Sequence, residues 1–184
     1  MDDAGLLRSI QSGDQQAVAA LYDRYSGAAY GLAFRITNDG TLAEDVVQDA
    51  FVSVWKQAAR FDLARGQVKS WLLTIVHHKA IDVVRRRANR HERALPDGPG
   101  DFVAGYGRPH EETAAAMDAD AVRAAVRQVP DDQRRTIEMA YFEGLTHVEI
   151  AERMQVPLGT VKSRLRIGLE KMRDALRVKV RELE

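Results

Sequence analysis

Residues 144–171, GLTHVEIAERMQVPLGTVKSRLRIGLEK, decide the fold of this chain, because they predict two helices joined by a tight turn. Thr146 can cap the first helix, and Glu149 three residues later completes a capping box. Pro157 breaks the helix, since proline lacks an amide donor and constrains the residue before it. The buried side of the first helix is expected to be Val148, Ile150, Ala151 and Met154.

The second helix has two chemically different faces. At about 100° per residue, one apolar stripe is expected to be buried: Val161, Leu165, Leu169 and Met172. The opposite face, flanked by Lys162 and Arg164, consists of Gly159, Thr160, Ser163, Arg166, Ile167 and Glu170. A helix in the DNA major groove needs basic side chains for guanine edges and phosphates, and hydroxyls for other base edges. The pattern favours a DNA-reading helix over the alternative, a solvated helix in an ordinary bundle.

Composition limits the class of protein. The chain has 184 residues, no cysteine and a formal net charge of zero. It has no run near the ~18 apolar residues of a membrane span, and its N-terminus lacks the basic-then-apolar layout of a secretory signal. We therefore expect a cytoplasmic protein without disulfides or a thiolate metal site.

The zero net charge hides two basic segments. Residues 63–95 hold eight basic and two acidic side chains, and residues 133–184 hold eleven and eight, whereas the segment between them is acidic. Two separate basic segments indicate two sites for a polyanion.

Helical periodicity without strand patterns predicts an all-α fold of two small helical domains. The domains are expected at residues 1–94 and 115–184, joined by a flexible linker at 95–114 that is rich in glycine and proline. In the first domain we predict four helices, which begin after Asp2 or Asp3, after Asp14, at Thr41 and at residues 66–70. In the second, helices near 117–128 and 131–143 precede the pair described above.

Apolar spacing predicts the buried sides of the helices in the first domain. For the second helix these residues are Ala17, Leu21, Tyr25, Ala28 and Leu32. For the third they are Val46, Val47, Ala50, Phe51 and Val54, and for the fourth Leu72, Ile75, Val76, Ala80, Val83 and Val84. Trp55 and Trp71 are also expected in the core, because large aromatic side chains mostly serve packing.

Two polar surfaces of the first domain have open interpretations. The fourth helix ends in an arginine cluster, and His77, His78, Lys79 and Asp82 precede it; the cluster is Arg85, Arg86, Arg87, Arg90 and Arg93. It fits a groove for DNA, or equally a solvated helix end whose cations compensate the helix dipole. The third helix shows an acidic and amide face, which is either plain surface or a protein-docking surface: Glu44, Asp45, Gln48, Asp49, Ser53 and Lys56.

Three blocks in this order resemble a known family, the bacterial sigma factors of the σ70 class. LAEDVVQDAFVSVWK is similar to their region 2.2, and VKSWLLTIVHHKAIDVVRRR to regions 2.3–2.4 of the small extracytoplasmic-function (ECF) subgroup. EGLTHVEIAERMQVPLGTVKSRLRIGLEKMR is similar to region 4.2. The helix-turn-helix alone is shared with many regulators, but the combination of blocks is specific to these factors.

The resemblance implies partners and roles for particular residues. Asp45, Gln48 and Asp49 would bind the β′ clamp helices of core RNA polymerase, and region 4 would bind the β flap. The −10 promoter element would be read, with an unstacked base, by His78, Lys79, Asp82, Arg85 and Arg86. The −35 element would be read as duplex by Thr160, Lys162, Ser163, Arg164 and Arg166, with Lys162 and Arg164 on phosphates. An anti-sigma factor, often membrane-anchored, is a further implied partner.

Two other functions compete with this interpretation. A conventional helix-turn-helix regulator would bind DNA without joining polymerase, but the acidic third helix and second basic segment argue against it. An enzyme would need His77, His78 and Asp82 as a hydrolytic cluster, yet adjacent helical histidines point about 100° apart. We therefore expect no catalytic residues, no cofactor and no metal. His78 stands where many ECF factors have asparagine, so the −10 preference is the least transferable implication.

Overall fold

A computed structural model describes residues 1–91 and 125–181 of the chain. Every regular element among these residues is helical, which confirms the all-α fold. The chain divides into two compact units, Met1–Leu95 and Pro96–Glu184. The linker predicted at 95–114, Arg93 and most of the helix predicted near 117–128 lie outside the described residues.

The first unit is a bundle of four helices. They are α1 (Asp3–Gln11), α2 (Gln15–Thr37), α3 (Gly40–Gln57) and α4 (Val68–His91). Between α3 and α4 lie two short 3-10 turns, Ala58–Arg60 and Leu63–Arg65. Helices α2, α3 and α4 pack against one another in pairs, and α1 lies against α2 and α4.

Aspartates begin the first three helices. Asp2 and Asp14 accept backbone N–H bonds at the starts of α1 and α2, so the predicted starts of both helices are confirmed. The start predicted for α3 at Thr41 is wrong. The cap is Asp39, whose carboxylate accepts from the Leu42 amide at 3.2 Å.

The core of the first unit follows the predicted stripe fully in α3 and partly in α2 and α4. All five residues predicted for α3 are buried. In α4 the buried residues are Val68, Leu72, Val76, Ala80 and Ile81, whereas Ile75, Val83 and Val84, which were predicted to be buried, are half-buried. In α2 the prediction was wrong for Ala28, which is exposed, while Ala29 and Ala33 are fully buried. Steps of four residues from Leu21 keep facing α3 and α4, so the stripe reaches residue 29 rather than 28.

The two tryptophans lie in different environments. Trp71 is half-buried and stacks on Phe61, with ring centroids 4.6 Å apart. Trp55 is 37% exposed, so its placement in the core was wrong. It lies on the solvent side of α3, where the neighbouring Val54 takes the buried position.

The described part of the second unit contains three complete helices, after helical residues 125–127. They are α5 (Asp131–Tyr141), α6 (His147–Met154) and α7 (Leu158–Arg181). The capping box of Thr146 and Glu149 is present at the start of α6, as predicted. Gln155 ends α6 in the left-handed conformation, with φ of 53°, and Pro157 follows before α7 begins.

A small core joins α5, α6 and α7. Its buried residues are Met139, Ile150, Val161 and Leu165. The prediction was wrong for Val148 and Leu169, which are 54% and 38% exposed. On α7 the buried position one turn after Leu165 belongs to Gly168, where a Cβ atom would lie 2.8 Å from Ile137 Cδ1. Helices α5 and α7 therefore pack closely there.

Within residues 1–91 and 125–181, no helix combines the length and the apolar character that crossing a membrane requires.

Candidate nucleic-acid interface

The outer face of α7 presents polar side chains at the start of the helix. Thr160 and Ser163 are half-buried, and the Ser163 hydroxyl donates a 2.9 Å hydrogen bond to the Thr160 carbonyl oxygen. Lys162 and Arg166 are exposed. These four residues lie within two helical turns and within an arc of about 160° around α7. The structure therefore places them on one side of the helix.

Arg166 has a carboxylate partner on its own helix. Its Nη1 atom lies 3.2 and 3.4 Å from the two carboxylate oxygens of Glu170. The Arg166 and Glu170 side chains are both well exposed, at 62% and 47%, so solvent weakens the ion pair. The Arg166 guanidinium can therefore leave this carboxylate and bind another acceptor, such as a base edge of DNA.

Arg164 is oriented differently from its neighbours. Its Nη2 atom lies 3.0 Å from Oδ2 of Asp132 in α5, and its side chain is 22% exposed. On α7 it lies about 60° from Val161, at the edge of the buried stripe. The free protein thus places this guanidinium against α5, whereas the sequence predicts a phosphate contact for it at the flank of the outer face.

His147, the first residue of α6, is a feature that sequence reasoning missed. Burial lowers the pKa of its imidazole below the usual 6.5, and the positive charge of Lys162 lowers that pKa further. The two residues belong to different helices, so no local pattern could reveal their proximity. The neutral imidazole avoids adding charge beside Lys162.

The residues predicted for the −10 element share one side of α4. Helix α4 is continuous over these positions, so each residue adds about 100° of rotation. The five residues fall within an arc of about 120°: His78, Lys79, Asp82, Arg85 and Arg86. His78 and Arg86 are exposed, and the other three are half-buried. The structure therefore assembles a mixed imidazole, cationic and carboxylate surface along one side of α4, next to the buried stripe.

Cations of α4 also contact α3. Lys79 Nζ lies 3.9 Å from Asp49 Oδ2, and Arg87 Nη1 lies 3.3 Å from Oδ2 of Asp39. The side chain of Arg90 and all of Arg93 are outside the described part of the structure. The Lys79–Asp49 pair joins a residue predicted for DNA to one predicted for polymerase, whereas the Arg87–Asp39 pair joins α4 to the start of α3.

The histidine pair provides no support for a hydrolytic site. The rings of His77 and His78 meet edge to face with centroids 5.8 Å apart. Among the described residues, no three histidine, aspartate or glutamate side chains converge closely enough to hold a metal ion.

The acidic face of α3 borders a groove against α2. Asp45, Gln48 and Asp49 are all exposed on α3. The groove has a volume of about 400 Å³ and is lined by Tyr22, Ser26, Gly27, Tyr30, Glu44, Val47 and Gln48. Sequence reasoning missed the exposed tyrosines of α2, although their spacing of eight residues puts them on one side of that helix.

Comparison with known proteins identifies the family. A model of sigma-70 region 2 matches residues 21–90, and a model of sigma-70 region 4 matches residues 119–172. The ECF RNA polymerase sigma factor SigK of Mycobacterium bovis BCG is 36% identical over 179 residues, 94% of this chain and 92% of SigK. SigK of Mycobacterium sp. strain JLS is 36% identical over 177 residues, 93% of this chain and 89% of its own.

Solved structures are similar as well. Rhodobacter sphaeroides SigE, in a crystal structure with the anti-sigma ChrR, is 29% identical, with a TM-score of 0.46. The match covers 95% of this chain and 97% of that one.

Regions 2 and 4, in this order on two helical units, define the σ70 class of transcription factors. With relatives matched over 94% of its length, the chain belongs to the ECF subgroup of σ70-class sigma factors. Its function is that of an RNA polymerase sigma factor, and a regulator acting without polymerase is not favoured.

Proposed function

We propose that this sigma factor reads a promoter through two surfaces, α4 in the first unit and α7 in the second. The observation that carries the proposal is that, within residues 1–91 and 125–181, α4 and α7 expose basic side chains, while Asp45, Gln48 and Asp49 are exposed on α3. DNA phosphates attract the two basic helices and repel α3, so one chain can bind both kinds of partner.

Helix α7 reads the −35 element as duplex DNA. Thr160, Ser163 and Arg166 contact base edges, because their hydroxyl and guanidinium groups match the donors and acceptors of the major groove. Lys162, exposed at the side of this face, contacts phosphates. Arg164 was predicted with Lys162, but in the free protein its charge is already compensated by Asp132.

Helix α4 reads the −10 element as a melted strand. Lys79, Arg85 and Arg86 contact phosphates, while His78 and Asp82 contact the exposed base. A neutral imidazole has one donor and one acceptor, as an asparagine amide has, but at different reach. We therefore expect a −10 preference that differs from that of ECF factors with asparagine at this position.

The α3 face binds core RNA polymerase. Asp45, Gln48 and Asp49 are exposed together and would contact the β′ clamp helices, and the second unit would contact the β flap. Family membership supports both contacts, and the net negative charge of the α3 face favours a basic partner helix.

Family membership also supports an anti-sigma partner, often membrane-anchored in this subgroup. The factor would act in the cytoplasm, where polymerase and promoters are. It would do so without catalytic residues, cofactor or metal of its own.

Association with purified core polymerase tests this function against the alternative. We expect the chain to bind core polymerase. We also expect the assembly to bind promoter DNA that neither component retains alone. A chain that ignored core polymerase but bound a specific duplex by itself would be a conventional regulator, and the proposal would fail.

A further inference from the structure

Arg164 and Asp132 form an ion pair between α7 and α5 in which the carboxylate is held on both sides. Asp132 Oδ1 accepts the Gln133 amide at 2.9 Å, and Oδ2 lies 3.0 Å from Arg164 Nη2. The backbone carbonyl of Asp132 accepts the Thr136 hydroxyl at 2.6 Å. The acceptor carboxylate therefore has a second hydrogen bond within α5, although its side chain is 48% exposed.

One turn further along α7, Gly168 provides a second fixed point against α5. A Cβ atom there would lie 2.8 Å from Ile137 Cδ1 and 3.2 Å from Gln133 Cβ. Arg164 and Gly168 are four residues apart, so both face α5. The core residues Val161 and Leu165 and the close contact at Gly168 hold α7 in place, and the ion pair adds a polar contact with α5 that further restricts the direction of the helix.

We propose that Arg164 is a positioning residue, whose ion pair with Asp132 sets the direction in which α7 enters the major groove. The inference rests on the proposed reading of duplex DNA by α7. Thr160, Ser163 and Arg166 contact bases only when the helix axis is aligned with the groove, because hydrogen bonds weaken steeply with misalignment. Arg164 supports these contacts from the opposite edge of the helix without contacting DNA.

The alternative is that Arg164 leaves Asp132 and binds a phosphate. The two roles make opposite predictions for Asp132. If Asp132 positions α7, then Asp132→Asn weakens DNA binding although it removes a negative charge. If Asp132 only competes with phosphate, the same substitution strengthens binding.

The test uses the full chain assembled with core polymerase and measures its affinity for promoter DNA returned by a run-off library. We expect Arg164→Gln and Asp132→Asn each to weaken binding about threefold to tenfold, with no further loss in the double variant. The charge swap, Arg164→Asp with Asp132→Arg, should restore binding relative to either charge reversal alone, but not fully, because an arginine at position 132 cannot accept the Gln133 amide. Asp131→Asn is the matched control, because Asp131 is adjacent, equally charged and paired with Arg134 on its own helix.

Salt dependence separates positioning from phosphate contact. Lys162→Gln should reduce the slope of log affinity against log salt by about one, and Arg164→Gln should leave it unchanged. A reduced slope for Arg164→Gln, a swap that fails to restore binding, or stronger binding by Asp132→Asn would overturn the inference. Failure of the wild-type assembly to select any −35 sequence would instead refute the proposed function of α7.

Discussion

At the scale of single residues, the ion pair between Arg166 and Glu170 is expected to oppose the DNA contact that we propose for Arg166, because the guanidinium would have to leave the carboxylate to reach a base. Glu170→Gln should raise the affinity of the polymerase assembly for the −35 element about twofold to fivefold, the range of an exposed ion pair. Asp174→Asn removes the same charge from α7 but leaves Arg166 untouched. Equal gains for both variants would show a general charge effect and contradict competition at Arg166.

His147 provides a second prediction at this scale. The pKa of its imidazole is lowered, first by burial and then by Lys162, so its NMR titration midpoint should lie below 6.5. Lys162→Ala should move the midpoint upward but not past 6.5, because burial is the larger cause. His147→Gln assigns the signal, and a midpoint at or above 6.5 in wild type would contradict the geometry.

The same lowered pKa has a consequence for stability. The unfolded chain binds a proton at this site more readily than the folded chain, so stability falls as pH drops below the unfolded value of 6.5. Above pH 6.5 the contribution of His147 to folding stability is fully present. Below the pKa of the folded chain, that contribution to stability is completely lost. Folding of the second unit is therefore predicted to weaken under mild acid.

At the scale of helices, Asp39 combines two roles at the start of α3. It caps the helix and pairs with Arg87 of α4. Asp39→Ala should lower the free energy of unfolding of the first unit by about 1–2 kcal/mol, as loss of a cap does. Thr41→Ala should change it little, because the exposed Thr41 side chain caps nothing in this structure.

Urea unfolding followed by tryptophan fluorescence measures this difference. Trp55 and Trp71 are both in the first unit, so the signal follows that unit alone. A larger loss of unfolding free energy for Thr41→Ala than for Asp39→Ala would show that Thr41, the cap predicted from the sequence, stabilises α3.

The two capping signals show how far local sequence can decide structure. Thr146 and Glu149 form the predicted box because no stronger cap precedes them in the tight turn from Gly144. Thr41 and Glu44 have the same spacing, but Asn38 ends α2 in the left-handed conformation, which brings Asp39 into the capping position. Competition between neighbouring caps depends on where the previous helix ends, which the local pattern does not specify.

Burial was predictable where a helix is covered along its whole length. The stripe on α3 is buried as predicted because α2 and α4 cover it. On α7 the pattern extends to Leu169, but α5 and α6 have only 11 and 8 residues against the 24 of α7. Position on a helical wheel alone thus overestimates burial where the partner helices are short.

At the scale of the whole molecule, the sequence predicts the two units and their separate charges but not the ion pairs between helices. Asp132 and Arg164 are 32 positions apart, and Lys79 and Asp49 are 30 apart. Such pairs follow from the packing of helices, so no spacing rule finds them. The candidate site residues were predicted as a set, whereas the different orientation of Arg164 depends on how α5 packs against α7.

The prediction at this scale concerns the face of α3 that we propose binds core polymerase. Changing Asp45, Gln48 and Asp49 together to alanine should weaken association with core polymerase at least tenfold, because three exposed contacts at one interface are lost. Melting of the chain should change little, since none of the three is buried. A matched control changes Gln15, Gln16 and Asp23, which are exposed on α2. Equal losses in both triple variants, or unfolding of the first, would contradict the docking role.

Run-off transcription with purified core polymerase on a promoter library tests the central claim most directly. Initiation should depend on the added chain and occur at templates that share two sequence elements at a fixed separation. Changes at His78 should alter the downstream element alone, and changes at Ser163 or Arg166 the upstream element alone. Initiation on no template, or initiation without dependence on either element, would contradict the account.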